Sequence, residues 1–304
     1  MSFLFLIFGL ALLVAGGEFL VRGAVRLAER LSLSPLLIGL TLVGFGTSTP
    51  ELVTSLEAAF RGSPGIAIGN VVGSNTANIL LILGISALLF PVAVARGTFL
   101  RDGIVLSAAS LACLGAVLAG QLSPALGAAF VTALAGYIFF AFRQERQAPA
   151  SGAGPEAEAL AATATRRHIA LDLLLVAGGL ALTILGARFA VDGAISLARM
   201  FSVSETIIGL TVVAVGTSLP ELVTSVMAAI KRQGDIAFGN IVGSNIYNVF
   251  GILGVTAMVK PIPVPAEIAA FDIWVMLGAT ALLLAFSVSR WRIGRIEGGV
   301  LLAA

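Results

Sequence analysis

One polar stretch occurs twice in this chain, and its recurrence limits the fold more than any other feature. The first copy reads Gly46-Thr47-Ser48-Thr49-Pro50-Glu51, followed by Gly69-Asn70-Val71-Val72-Gly73-Ser74-Asn75-Thr76-Ala77-Asn78. The second reads Gly216-Thr217-Ser218-Leu219-Pro220-Glu221, followed by Gly239-Asn240-Ile241-Val242-Gly243-Ser244-Asn245-Ile246-Tyr247-Asn248. Glu51 matches Glu221 and Asn78 matches Asn248, at a constant offset of 170 positions. Between Ile38 and Pro91 roughly half the positions equal their counterparts, an internal repeat strong enough to define the architecture. Each copy sets a carboxylate, hydroxyls and amides inside otherwise apolar sequence. In a bilayer such groups are expensive and mark an ion or substrate site.

The bilayer follows from composition. The 304 residues are 58% hydrophobic and 11% charged, whereas a soluble domain carries about 25% charge. Ten apolar segments are predicted: 3–21, 34–60, 65–91, 99–119, 123–143, 169–189, 204–230, 235–259, 268–289 and 293–304. Most are long enough to cross a hydrocarbon core that needs about 20 residues. The expected class is an all-α polytopic membrane protein of ten transmembrane helices. The net charge of +2 does not argue for nucleic acid, because the arginines sit in loops between spans. Met1 to Ala15 has no basic region before its apolar run, so it reads as a retained helix rather than a signal peptide.

Charge placement predicts the topology. With the N-terminus outside, all of the 18 Lys and Arg except Arg61, Arg188, Arg199 and Lys260 fall in cytoplasmic loops, as the positive-inside bias requires. This puts the chain in the cell membrane with its central linker in the cytoplasm. The repeats then divide as 1–143 and 168–304, with a linker at 144–167. Five spans per repeat is an odd number, so the second repeat enters the membrane inverted, the construction of many secondary transporters. Gln147 to Thr165 is rich in Ala, Gly, Pro and Ser and reads as a flexible tether. The last apolar segment holds about a dozen residues, too few to cross about 30 Å at 1.5 Å per residue, so the tenth helix is expected to be truncated.

The shared residues have the chemistry of a hard-cation site. Proline lacks an N–H and clashes with the preceding turn, so Pro50 and Pro220 should break their helices. A break at mid-membrane frees backbone carbonyls, tolerated only where they line a cavity or bind an ion. Those carbonyls, the hydroxyls of Thr47, Ser48, Thr217 and Ser218, and the carboxylates of Glu51 and Glu221 form an all-oxygen set. Ca²⁺ and Na⁺ want such ligands, whereas soft metals want His or Cys. Here the chain offers only Cys113, in an apolar run, and His168, at a membrane edge. Ser74 and Asn78, like Ser244 and Asn248, are four apart and share a helix face. Asn75 and Asn245 are expected to support the site through hydrogen bonds. Glu57 is expected at the water boundary, Glu18 and Arg22 in pairing, and Asp102 and Asp272 as helix caps. Two ionised glutamates supply −2, which one Ca²⁺ or two Na⁺ would neutralise. Three Na⁺ would leave +1, and the cycle would feel the membrane potential.

These motifs resemble the two α-repeats of the sodium/calcium exchanger family, within the cation/Ca²⁺ antiporters. The resemblance covers nearly the whole chain. It implies ten helices, with the second, third, seventh and eighth around the ions and the first and sixth sliding. It implies ligands at Thr47, Ser48, Glu51, Ser74 and Asn78 and at Thr217, Ser218, Glu221, Ser244 and Asn248, with the carbonyls of Gly44 and Ala214. Some prokaryotic exchangers and the potassium-dependent branch have Asp where this chain has Asn248, so the amide argues against K⁺ dependence. The proton-exchanging branch typically has Gly-Asn-x-x-Glu in place of Gly-Thr-Ser-x-Pro-Glu, which favours Na⁺ as counter-ion. No resident cofactor is expected, since Ca²⁺ and Na⁺ are cargo, and a monomer suffices. Rival readings are a Ca²⁺/H⁺ or K⁺-linked antiporter, a cation channel, and a membrane hydrolase. A hydrolase would need an acid–base pair or metal ligands poised on a nucleophile, which two glutamates flanked by hydroxyls without a histidine fit poorly. The channel would place its filter on a subunit axis, not inside one chain.

Overall fold

A computed structural model describes residues 2–94, 96–147, 155–201 and 214–304. The chain is an all-α polytopic membrane protein. In order its helices are α1 (Ser2–Leu31), α2 (Pro35–Thr47), α3 (Thr49–Phe60), α4 (Gly65–Leu89), α5 (Arg96–Leu118) and α6 (Pro124–Gln147). The second half contributes α7 (Pro155–Met200), α8 (Ala214–Thr217), α9 (Leu219–Ile230), α10 (Gly234–Val259), α11 (Ile268–Arg290) and α12 (Arg295–Ala303).

Ten spans are expected. Among the described residues seven helices are long and apolar enough to cross a membrane, and α2 with α3 makes an eighth span bent by 41°. The first part of the seventh predicted segment, 204–213, lies outside the described residues. The tenth is the nine-residue helix α12, packed on the end of α4. At about 1.5 Å per residue it covers roughly half of a 30 Å hydrocarbon core.

The tether predicted between the repeats is helical from Pro155 onward, continuous with α7 over 46 residues. Proline suits the first turn of a helix, and Glu-Ala-Glu-Ala-Leu-Ala-Ala after it is strong helix-forming sequence. Two short antiparallel ladders cross between the halves. Val92–Ala93 (β1) pairs with Arg292–Ile293 (β4), and Gln121–Leu122 (β2) pairs with Ile262–Pro263 (β3). Asp102 is no helix cap. It lies within α5, 1% exposed, accepting hydrogen bonds from Arg101 Nε at 2.6 Å and Tyr137 Oη at 3.0 Å. Burial under α6 required an ion pair there, and the adjacent arginine supplies it.

Helices α1 and α7 run antiparallel along a seam of glycines seven apart. Gly9, Gly16 and Gly23 of α1 lie against Gly186, Gly179 and Val176 of α7, and Gly193 lies against Leu6. Small residues let helices approach to backbone contact. The pair of Arg30 with Asp172 fixes the register at the linker end. At the same end Glu145 of α6 accepts from Ser34 Oγ at 2.8 Å, holding the start of α2.

A second close approach sets α2 against α10. A Cβ at Gly239 would come within 2.6 Å of Leu36 O, and one at Gly243 would collide with the Leu40 backbone. Gly243→Ala is therefore expected to destabilise the protein by about 1–3 kcal/mol through overpacking. The melting temperature of this variant in detergent checks this; an unchanged value would contradict it.

Candidate cation site

Both broken spans turn at a serine. Ser48 (φ −80°, ψ 8°) and Ser218 (φ −89°, ψ 7°) interrupt their helices, and the prolines follow in the first turn of α3 and α9. Proline has no N–H to return to the carbonyl four residues back, and it is well placed at a helix start, so the break falls just ahead of it. The two breaks face each other across the pseudo-twofold. Ser48 Oγ donates to Glu221 Oε1 at 3.0 Å, and Ser218 Oγ donates to Glu51 Oε1 at 3.4 Å. Each acid is thus held by the break of the other repeat, and both are 1% exposed.

The partner helices change winding at the asparagines. From Asn78 to Leu83 in α4 and from Asn248 to Leu253 in α10 the backbone takes wide π-turns, a distortion frequent at functional sites. Four asparagines form a closed ring there. Asn75 Nδ2 donates to Asn245 O at 3.2 Å, and Asn245 Nδ2 returns a bond to Asn75 O at 3.4 Å. Asn78 Nδ2 donates to Asn245 Oδ1 and Asn248 Nδ2 to Asn75 Oδ1, both at 2.9 Å. Asn75 and Asn245 make hydrogen bonds, as expected of them. Their side-chain oxygens take the amide hydrogens of Asn78 and Asn248 and so turn the Oδ1 atoms of the latter pair the other way.

Among the described residues eight buried side-chain oxygens lack a hydrogen-bond partner: the hydroxyls of Ser86, Thr224, Thr256 and Ser287, and four carboxylate and amide acceptors, Glu51 Oε2, Glu221 Oε2, Asn78 Oδ1 and Asn248 Oδ1. The four acceptors form two matched pairs across the repeat. Leaving one buried acceptor unpaired costs about 1–3 kcal/mol, and more for a charged group. Here two carboxylates and two amides of the repeated motif leave an acceptor unpaired, and these oxygens are hard ligands suited to Ca²⁺ or Na⁺.

The remaining predicted residues surround this set with less symmetry. Thr47 Oγ1 lies 3.1 Å from Asn240 Oδ1 and 3.3 Å from Gly44 O. Gly44 O also accepts from Ser244 Oγ at 3.1 Å, so hydroxyls and not open space face this carbonyl. Ser74, the counterpart of Ser244, instead lines a cavity of about 200 Å³ together with Ser218 and Gly73. Thr217 lines a larger one, of about 340 Å³, with Pro50 and Glu57. Glu57 is largely exposed and paired with Arg61. Ala214 begins α8. His168 falls outside the described side chains, and Cys113 is buried.

Asn70 and Asn240 are the residues that sequence reasoning missed. Asn70 Nδ2 donates to Glu51 O at 3.3 Å and Ser55 Oγ at 3.1 Å. Asn240 Nδ2 donates to Glu221 O at 3.3 Å and Ser225 Oγ at 2.8 Å. Each ties the acid-bearing helix to its neighbour. The signal was present, since both asparagines and both serines are identical at the 170-residue offset.

Known proteins resemble this chain over most of its length. A family profile described as sodium/calcium exchanger protein matches residues 1–143 and 171–304. The putative antiporter CaxA of Alkalimonas amylolytica is 39% identical over 310 residues, covering 99% of this chain and 95% of the relative. The sodium/calcium exchanger MaX1 of Methanosarcina acetivorans is 35% identical over 341 residues, with the same coverage. Among solved structures, the sodium–calcium exchanger NCX_Mj soaked with 10 mM Na⁺ and zero Ca²⁺ superposes with a TM-score of 0.86 at 30% identity. The match covers 99% of this chain and 95% of that one.

Proposed function

The chain belongs to the sodium/calcium exchanger family, and on that premise we propose that it is a secondary antiporter exchanging Ca²⁺ for Na⁺ by alternating access. The observation that carries the reading is the set of four unpaired buried oxygens on Glu51, Glu221, Asn78 and Asn248. A hard cation supplies what those atoms lack, and the transported ions are cargo of the site, with no resident cofactor and no catalysed reaction. Thr47, Ser48, Ser74, Thr217, Ser218 and Ser244, with the carbonyls of Gly44 and Ala214, complete the ligand shell. For Gly44 this requires the Thr47 and Ser244 hydroxyls to rotate away as an ion enters.

Two ionised carboxylates against one Ca²⁺ give a neutral site, and three Na⁺ give +1, so we read the exchange as electrogenic. From the bias of basic residues between the spans we read the N-terminus as outside and the linker as cytoplasmic, in a cell-membrane protein. One chain carries all of the proposed ligands, so on this reading a monomer suffices.

The test is ⁴⁵Ca²⁺ uptake into proteoliposomes loaded with Na⁺, K⁺ or acid, with and without an imposed potential. Uptake that needs internal Na⁺ and responds to voltage is the expected result. Uptake driven by a proton or K⁺ gradient alone assigns the protein to another counter-ion. Ca²⁺ conduction with no counter-ion makes it a channel.

A further inference from the structure

We propose that the α1–α7 pair is latched by an ion-pair clasp that changes ends during the cycle. Glu18 holds Lys231 in the present state, and Arg188 takes Glu57 in the opposite one. The inference rests on the alternating-access reading above.

At the linker end the pair is closed against α9. Gly17 of α1 packs on Val223 and Met227, with its Cβ position 3.0 Å from Val223 Cγ1. One residue on, Glu18 accepts from Lys231 Nζ at 2.7 Å and also pairs with Arg22. The Glu18 and Lys231 side chains are 23% and 26% exposed, so the bridge is partly shielded from solvent.

At the other end, the positions related by the 170-residue offset stand apart. Between α7 and α3 lies the cavity of about 340 Å³, lined by Glu57, Ala187, Arg188 and Asp192. Among the described residues no ion pair joins α7 to α3. Among the described residues Glu57 pairs only with Arg61, just past the end of its own helix, at 3.5 Å.

The charges at the two ends are related by inversion. Where the transport residues are identical across the repeat, Glu18 becomes Arg188 and Arg22 becomes Asp192. Lys231 has the basic counterpart Arg61, which would repel Arg188. One turn earlier on α3, Met227 of the other repeat is replaced by Glu57. A reversed charge on α7 is thus matched by a new acid on the facing helix. Packing alone asks for neither change. Closing the cavity in the manner of the linker end brings Arg188 to Glu57 and Asp192 to Arg61. Each clasp then stabilises one end state, and breaking it shifts the population toward the other.

Spin labels on Phe60→Cys and Met200→Cys, both exposed and at the ends of α3 and α7, measure the width of this cavity by electron–electron resonance; Cys113 is buried and does not label. Lys231→Ala is expected to raise the short-distance fraction about fivefold, the effect of losing one half-shielded bridge. Arg188→Ala should lower it, Arg188→Glu should lower it further by repelling Glu57, and Glu57→Arg with Arg188→Glu should restore it. A distribution unmoved by Lys231→Ala, an Arg188→Glu result equal to Arg188→Ala, or a swap that fails to restore would overturn the clasp. ⁴⁵Ca²⁺ exchange by the parent protein is read in parallel. Absent exchange with responsive distances defeats the antiport reading alone, and normal exchange with unresponsive distances defeats the clasp alone.

Discussion

Replacing Glu51 by Gln is expected to lower Na⁺-dependent Ca²⁺ uptake by about a hundredfold or more while the protein still folds and melts cooperatively. The substitution keeps the shape and the bond from Ser218 Oγ, which an amide oxygen accepts as well as a carboxylate. It removes one of the two charges that a divalent ion needs and puts an N–H₂ where Oε2 has no partner. A donor aimed into a set of oxygens repels a cation instead of binding it. Glu221→Gln should do the same, because Ser48 holds Glu221 as Ser218 holds Glu51. Relief of carboxylate burial offsets part of any loss in packing, so stability should change little or rise. Uptake assays paired with melting curves check both halves of the expectation.

Asn240→Ala is expected to weaken Ca²⁺ binding by about 10- to 100-fold, the usual effect of losing a group that orients a metal ligand. Asn240 touches three functional groups at once. It ties Glu221 O and Ser225 Oγ with its amide hydrogens, and it accepts from Thr47 Oγ1 of the other repeat. Alanine frees the turn that carries Glu221 and leaves Thr47 to its bond with Gly44 O. Ser225→Ala separates orientation from packing, since it removes one partner of Asn240 and leaves the ties to Glu221 and Thr47. Equilibrium Ca²⁺ binding should fall strongly in the first variant and by at most a few-fold in the second. Equal losses would mean that Asn240 serves only to pack α9 on α10.

Much of the site was legible because a duplication prints its own annotation: Thr47, Ser48, Glu51, Ser74 and Asn78 each reappear at the offset, and polar residues deep in apolar sequence are hard to explain by packing. The mutual grip of Ser48 on Glu221 and Ser218 on Glu51 was not legible. It depends on two helices crossing at their breaks, and sequence order contains no information about which hydroxyl meets which acid. Asn70 and Asn240 were passed over because a partner 19 residues earlier on another helix leaves no periodicity. The helical start at Pro155 was masked by reading Ala, Gly, Pro and Ser as a composition instead of reading Glu and Ala after the proline as helix-forming sequence. Asp102 looked like a cap because it stands near the start of α5. Only the packing of Tyr137 against it shows an acid buried in a pair. The charge-inverted positions were set aside because a search for identity discards what a repeat changes on purpose.

The most direct test of the central claim is equilibrium ⁴⁵Ca²⁺ binding to the purified protein, titrated with Na⁺ at constant ionic strength against K⁺ as control. One buried oxygen set serving both ions predicts one Ca²⁺ per chain, displaced by Na⁺ with a slope steeper than one and left in place by K⁺. The same experiment on Glu51→Gln should show no saturable binding. Ca²⁺ that stays bound at high Na⁺, or that binds Glu51→Gln as tightly as the parent protein, would contradict the account.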